Sequence, residues 1–220
     1  MNEVGAGVTD LVLGAVLVAC ASRLRRTPGV HRYWALMWWS AGAAALAGAA
    51  HHLVFSHSAR ASDLSWVLVG VLVAVALSYL LAATATQTLE PRLAGTVIRI
   101  RVLGLLAYAT WMAIAGIGRT APLVLSESLT MAAIVGLWCY ALYAGHRLAG
   151  RVLVALGVLA LSAVFFVLPA GLIPTSVGLD ARSLQHLTQI PGVLLLSWVV
   201  LDGAQPTPGL PRRPTPLPWR

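Results

Sequence analysis

Lysine is absent from this sequence, and all fifteen basic residues are arginine. Without a lysine amine there is no retinal Schiff base, so an opsin-type photoreceptor is excluded. Acidic residues number seven, and charged residues make up 10% of the chain where a soluble domain carries about a quarter. The two cysteines, Cys20 and Cys139, fall in the inner halves of apolar runs. They imply no disulfide framework and read as small buried residues. Ser126 and Ser128 flank Glu127, but no Gly-x-Ser-x-Gly elbow occurs, which leaves serine hydrolase chemistry without support. No long polar region stands at either end or in any loop, so chemistry is expected at membrane depth or at the rim.

What is present is apolar. Hydrophobic residues are 59% of the chain and mean hydropathy is +0.82, the composition of an integral membrane protein. Seven apolar segments are marked: Thr9 to Leu24, Tyr33 to Ser56, Asp63 to Thr84, Ile98 to Gly118, Ala121 to Gly145, Arg151 to Ala170 and Ser183 to Leu201. Each is near the ~20 residues a spanning helix needs. The expected fold is therefore all-α, a polytopic bundle of seven transmembrane helices over residues 1–202. Residues 203–220, rich in proline and arginine, read as a disordered tail. Between the fourth and fifth segments Gly118-Arg119-Thr120-Ala121-Pro122 predicts a tight hairpin.

Arginine distribution gives the orientation. Twelve arginines (23, 25, 26, 32, 92, 99, 101, 147, 151, 212, 213 and 220) follow segments one, three, five and seven, while Arg60, Arg119 and Arg182 lie on the other side. The positive-inside rule then puts the N-terminus outside and the C-terminus in the cytoplasm of an inner, plasma-membrane protein. Glu3 and Asp10 before the first segment and Arg23, Arg25 and Arg26 after it reverse the charge order of a secretory signal, which reads as an uncleaved helix. With the basic residues committed to orienting helices, the net charge of +8 is no argument for nucleic acid. Tyr33, Trp34, Trp38, Trp39 and Trp66 read as interfacial aromatics. Ala43, Ala47, Ala50, Gly42 and Gly48 read as a close-packing face of the second helix.

Ionisable residues inside membrane segments are functional candidates by default. His51 and His52 lie near the outer end of the second helix, Asp63 in the first turn of the third, Glu127 two turns into the fifth, and His186 and Gln189 early in the seventh. Topology predicts one level for all of them. Adjacent histidines point roughly 100° apart on a helix, so only one of the pair is expected to serve as a ligand. His52, His186 and one of Asp63 or Glu127 supply the three donors of a catalytic zinc site. Zinc would make a hydroxide nucleophile of bound water, the other carboxylate acting as general base or orienting a ligand. Individually each residue also has a structural use. Asp63 caps a helix, the histidines bond a neighbouring helix or water, and Glu127 faces an aqueous vestibule. Asp180, Arg182 and Ser183 read as capping of the seventh helix. His31, His57 and His146 read as exposed loop residues, and Pro191-Gly192 as a kink beside His186.

Thr9-Asp10-Leu11, Leu46-Ala47-Gly48-Ala49-Ala50-His51-His52 and Leu184-Gln185-His186-Leu187-Thr188-Gln189 together resemble a bacterial family of seven-helix membrane proteins of unknown function. More distantly the chain is similar to the CREST superfamily of seven-helix metal hydrolases, which includes alkaline ceramidases and the progestin and adipoQ receptors. That resemblance places Gly48 at the superfamily's serine, His52 at its helix-two histidine, Asp63 at its aspartate and His186 at the second histidine of its His-x-x-x-His. Arg182 stands where the first histidine belongs, and a cation cannot ligate zinc. Glu127, Gln189 or His57 would have to compensate.

The resemblance implies a zinc-dependent hydrolase of a lipid amide or ester at the outer leaflet, with His52 and His186 as metal ligands and Asp63 and Glu127 as catalytic residues. Two other classes fit the same residues: a non-catalytic sensor or receptor that binds a lipid or small molecule in the polar pocket, and a carrier of a small solute or protons. A polar cavity closed toward the cytoplasm and without metal points to the receptor. A water path past Glu127 to the inner face points to the carrier.

Overall fold

The computed structural model describes residues 3–115, 121–164 and 181–204. Among these the chain is helical, with no strand: α1 (Glu3–Arg26), α2 (Arg32–Leu53), α3 (Ala59–Thr88), α4 (Pro91–Ala115), α5 (Ala121–Tyr143), α6 (Ala149–Leu161) and α7 (Ala181–Ala204), with a 3-10 turn at Phe55–His57. Five of them, α1, α3, α4, α5 and α7, are long and apolar enough to cross a membrane. The predicted 118–122 hairpin lies mostly, and the 205–220 tail wholly, outside the described residues, as does Asp180.

Helix starts and stops follow local chemistry. α1 begins six residues before the apolar run, because Gly5, Ala6 and Gly7 permit helix and nothing in the stretch forbids it. Glu3 and Asp10 are thereby drawn into the helix rather than left in front of it. Gly29, at φ +83°, turns the chain between α1 and α2, and Gly145, at φ +77°, does so between α5 and α6. The imidazole of His31 accepts from the Tyr33 N–H at 3.3 Å and starts α2. Pro91 opens α4, where its missing N–H costs nothing. Pro191 sits within α7 and the helix continues through it. Gly192 is buried there against Leu159 of α6, a Cβ at that position lying 2.6 Å from the leucine Cγ.

Six helices close a ring in the order α1, α2, α3, α5, α6, α7 and back to α1. Side-chain contacts give their directions. α1 and α2 are antiparallel, with Gly7 against Leu53 and Gly14 against Leu46. α2 and α3 are antiparallel through His51–Ser65 and Tyr33–Tyr79. α3 and α5 run parallel, Gly70 meeting Leu123 and Thr84 meeting Trp138. α5 is antiparallel to α6, with Trp138 beside His146, and α6 to α7, through Arg151 and Asp202. α7 runs parallel to α1, since His186 meets Asp10 near both N-termini and Gly29 lies beside Ala204. α4 stands outside the ring against α3. On it only Ala94 and Arg101 are buried among the described residues.

The core fills one half of the ring. Leu24, Trp34, Trp138, Val152, Leu196 and Val199 are each at most 1% exposed and lie toward the end shared by the α1–α2 and α5–α6 turns. Trp34 and Trp38, one helical turn apart, face inward together, whereas Trp39 and Trp66 are 37% and 43% exposed. The belt reading is thus corrected for Trp34 and Trp38: they plug the bundle. Cys139 likewise lies exposed on the outer face of α5 instead of buried.

Candidate functional site

The other half of the ring is hollow. A cavity of about 660 Å³ reaches all six ring helices, a volume typical of small-molecule sites. Asp10, His52, Arg182, Gln185, His186 and Gln189 line its polar end, and Leu17, Met37, Trp38, Leu77, Leu80 and Leu196 its apolar depth. From Arg182 to Leu196 along α7 is roughly 20 Å at 1.5 Å per residue. The cavity is therefore long, polar at one end, and stopped at the other by the core around Trp34 and Trp38.

Two carboxylate–imidazole pairs stand at the polar end. Nδ1 of His52 lies 2.6 Å from Oε2 of Glu3, and Nδ1 of His186 lies 3.1 Å from Oδ1 of Asp10. Thr9, whose hydroxyl donates to the Gly5 and Ala6 carbonyls, adds its Oγ1 3.3 Å from the same His186 nitrogen. An ionised carboxylate can only accept, so in the ionised form of each pair the proton lies on Nδ1 and Nε2 is the acceptor of the ring. Asp10 is positioned by Gly48, where a Cβ would fall 2.5 Å from Oδ2. With no side chain at 48, the carboxylate occupies that space. His51 points elsewhere, as its helical offset requires. Its Nδ1 is 2.7 Å from the Ser65 hydroxyl, which in turn donates to the Ser62 carbonyl, and its ring packs 4.4 Å from that of Trp66.

Of the residues singled out in the sequence, His52, His186 and Gln189 meet at this cavity, and Asp63, Glu127 and His57 do not. Asp63 and His57 are exposed. Glu127 belongs to a second cluster, where both its oxygens accept from Arg101 Nη2 at 2.8 Å. The remaining Arg101 donors reach Ser78 at 2.8 Å, Thr130 at 2.8 Å, Ser126 at 3.1 Å and the Ala74 carbonyl at 3.3 Å. The expectation of one level is corrected for a physical reason. α3 and α5 run parallel with Leu123 set against Gly70, so Glu127 falls beside Ala74, nine residues or roughly 14 Å along α3 from Ser65. Arg101 is likewise buried between helices and leaves the set of arginines that orient the chain, eleven of which still stand against three.

Among the described residues no three of histidine, cysteine, aspartate and glutamate converge as a ligand group. Arg182 occupies the cavity wall where the resemblance requires a histidine, and Glu127 is held by Arg101. The donor set does not fit a three-ligand zinc, and no chemistry is derived through one. Sequence reasoning missed Asp10 and Glu3. Their signal was available, since Asp10 is an acid beside an apolar run, but it was absorbed by the orientation argument.

No curated protein and no solved structure matches the chain. The family DUF6962, described as a family of unknown function, matches residues 6–205. That span takes in α1 from Ala6 onward, all of α2 to α7 and every residue of the two polar clusters except Glu3, and the chain belongs to this family.

Proposed function

We propose that this protein is a plasma-membrane sensor or receptor that binds an amphiphilic ligand inside the helix ring, with its N-terminus outside and its C-terminus in the cytoplasm. The observation that carries this reading is the shape of the cavity: polar groups from α1, α2 and α7 at one end, an apolar sleeve roughly 20 Å long, and a tryptophan plug beyond it. A ligand with a polar head and an apolar chain satisfies both ends. The plug argues against a carrier, as does the position of Glu127, which lies off the cavity and is bonded to Arg101.

Native mass spectrometry of the detergent-purified chain tests this. The expected result is a one-to-one adduct with a cellular amphiphile, absent in Ala45→Trp, whose indole would fill the sleeve. A chain that carries no adduct and binds no added long-chain amphiphile saturably overturns the proposal. The rival reading, a CREST-like zinc hydrolase, is favoured by the two imidazoles whose Nδ1 atoms rest on carboxylates, an arrangement common behind metal ligands. Metal analysis decides it. About one zinc per chain, lost in both His52→Ala and His186→Ala, would replace ligand storage with hydrolysis, whereas the receptor reading expects no stoichiometric zinc.

A further inference from the structure

Resting on the amphiphile reading, we infer that the ligand's head group is an oxyanion, a phosphate or a carboxylate, received by Arg182 and Gln185 at the first turns of α7. Arg182 lines the cavity, is half-buried, and makes no hydrogen bond or ion pair among the described residues. The contrast with Arg101, whose donors all have acceptors, shows what a guanidinium in this protein does when it serves the fold. Gln185 is 9% exposed, lines the same cavity, and makes no side-chain hydrogen bond among the described residues. Its amide opens onto the cavity, where its N–H donors are available to an acceptor on a bound ligand.

These groups share one face. Residues three apart on a helix are neighbours, which stacks Arg182, Gln185 and, one turn further, Gln189 along the cavity side of α7. Glu3 lies within electrostatic reach of Arg182, but neither nearby carboxylate forms an ion pair with the guanidinium among the described residues. Glu3 lies 2.6 Å from His52, and the oxygens of Asp10 are turned to His186 and to the space over Gly48. What remains directed at the ligand is cationic and hydrogen-bond donating, the complement of an oxyanion.

The test measures binding of dodecyl phosphate, dodecanoate, dodecanol and inorganic phosphate by calorimetry, in a nonionic detergent, to the full chain and to Arg182→Gln, Arg182→Lys and Gln185→Leu. Both anionic amphiphiles are expected to bind about tenfold or more tighter than dodecanol, the worth of one charge-assisted hydrogen bond. Arg182→Gln should erase that preference while leaving dodecanol affinity within about threefold of wild type, and Arg182→Lys should restore part of it. Gln185→Leu should lower the preference without abolishing it. Equal binding of dodecanol and dodecyl phosphate, or a preference that survives Arg182→Gln, overturns the oxyanion head and keeps the cavity. Inorganic phosphate binding as tightly as dodecyl phosphate removes the chain from the ligand, and no binding by any of the four removes the amphiphile reading itself.

Discussion

Two clusters of charged residues lie inside the helix bundle, and they are built on opposite plans. Around Arg101 every donor is matched: Glu127, Ser78, Ser126, Thr130 and the Ala74 carbonyl enclose the guanidinium, and neither partner of the ion pair exceeds 12% side-chain exposure. At the cavity end, Glu3 and Asp10 are engaged by His52 and His186, yet Arg182 and Gln185 are left facing open space. A membrane segment carries an ionisable group at a cost of several kcal/mol, which is repaid by partners within the protein or by something that binds. Complete satisfaction marks the first cluster as architecture. Incomplete satisfaction beside a cavity is the ground for proposing the second as a site.

The largest effect separating the two comes from breaking the closed cluster. Glu127→Ala strands a buried guanidinium and should destabilise the bundle by about 3–5 kcal/mol in denaturant titration. The pair Arg101→Met with Glu127→Leu should recover most of that loss, and a double variant as unstable as the single one would mean that the charge itself is needed at that position. A smaller effect is expected at Gly48, where an added methyl meets the Asp10 carboxylate. Gly48→Ala should cost roughly 1–3 kcal/mol and weaken amphiphile binding. Gly7→Ala is the matched comparison, because there the methyl meets only the side chain of half-exposed Leu53, which has room to turn. If both variants lose binding equally, helix spacing rather than the position of Asp10 controls the site. The smallest effect belongs to Asp63→Asn, exposed and off the cavity, expected within about 0.5 kcal/mol of wild type in stability. Loss of ligand binding or of a hydrolytic activity in this variant would return Asp63 to the role the resemblance gives it.

The helices were legible in the sequence because hydrophobic length is a property of the chain taken alone. Each of the seven apolar segments overlaps one helix, and five of those helices meet the length and hydropathy of a span. His52 and His186 were legible for the same reason, polar residues in apolar runs being visible without knowing their neighbours. Which groups pair was not legible. Counting residues from a helix end fixes depth only if neighbouring helices begin together, and the offset between α3 and α5 defeats that count for Glu127. Arg101 stands near the start of the Ile98 to Gly118 run and so reads as the edge of a loop, whereas the helix starts at Pro91 and carries the arginine three turns in. Asp10 was hidden by a similar shift of α1, whose helix begins at Glu3 while the apolar run begins near Thr9.

The order of the ring has a further consequence. Relabel α1, α2 and α3 as one triplet and α5, α6 and α7 as another, and every seam of the ring maps onto a seam of the same kind: antiparallel within each triplet, parallel where α3 meets α5 and where α7 meets α1. The two triplets, joined by α4, thus match in helix order and direction, and the leading helix of each carries an acid in its early turns, Asp10 in α1 and Glu127 in α5. The linker helix breaks that match. It lies at the α3–α5 seam and answers the acid there with Arg101, while at the α7–α1 seam the answering group is an imidazole on the cavity wall.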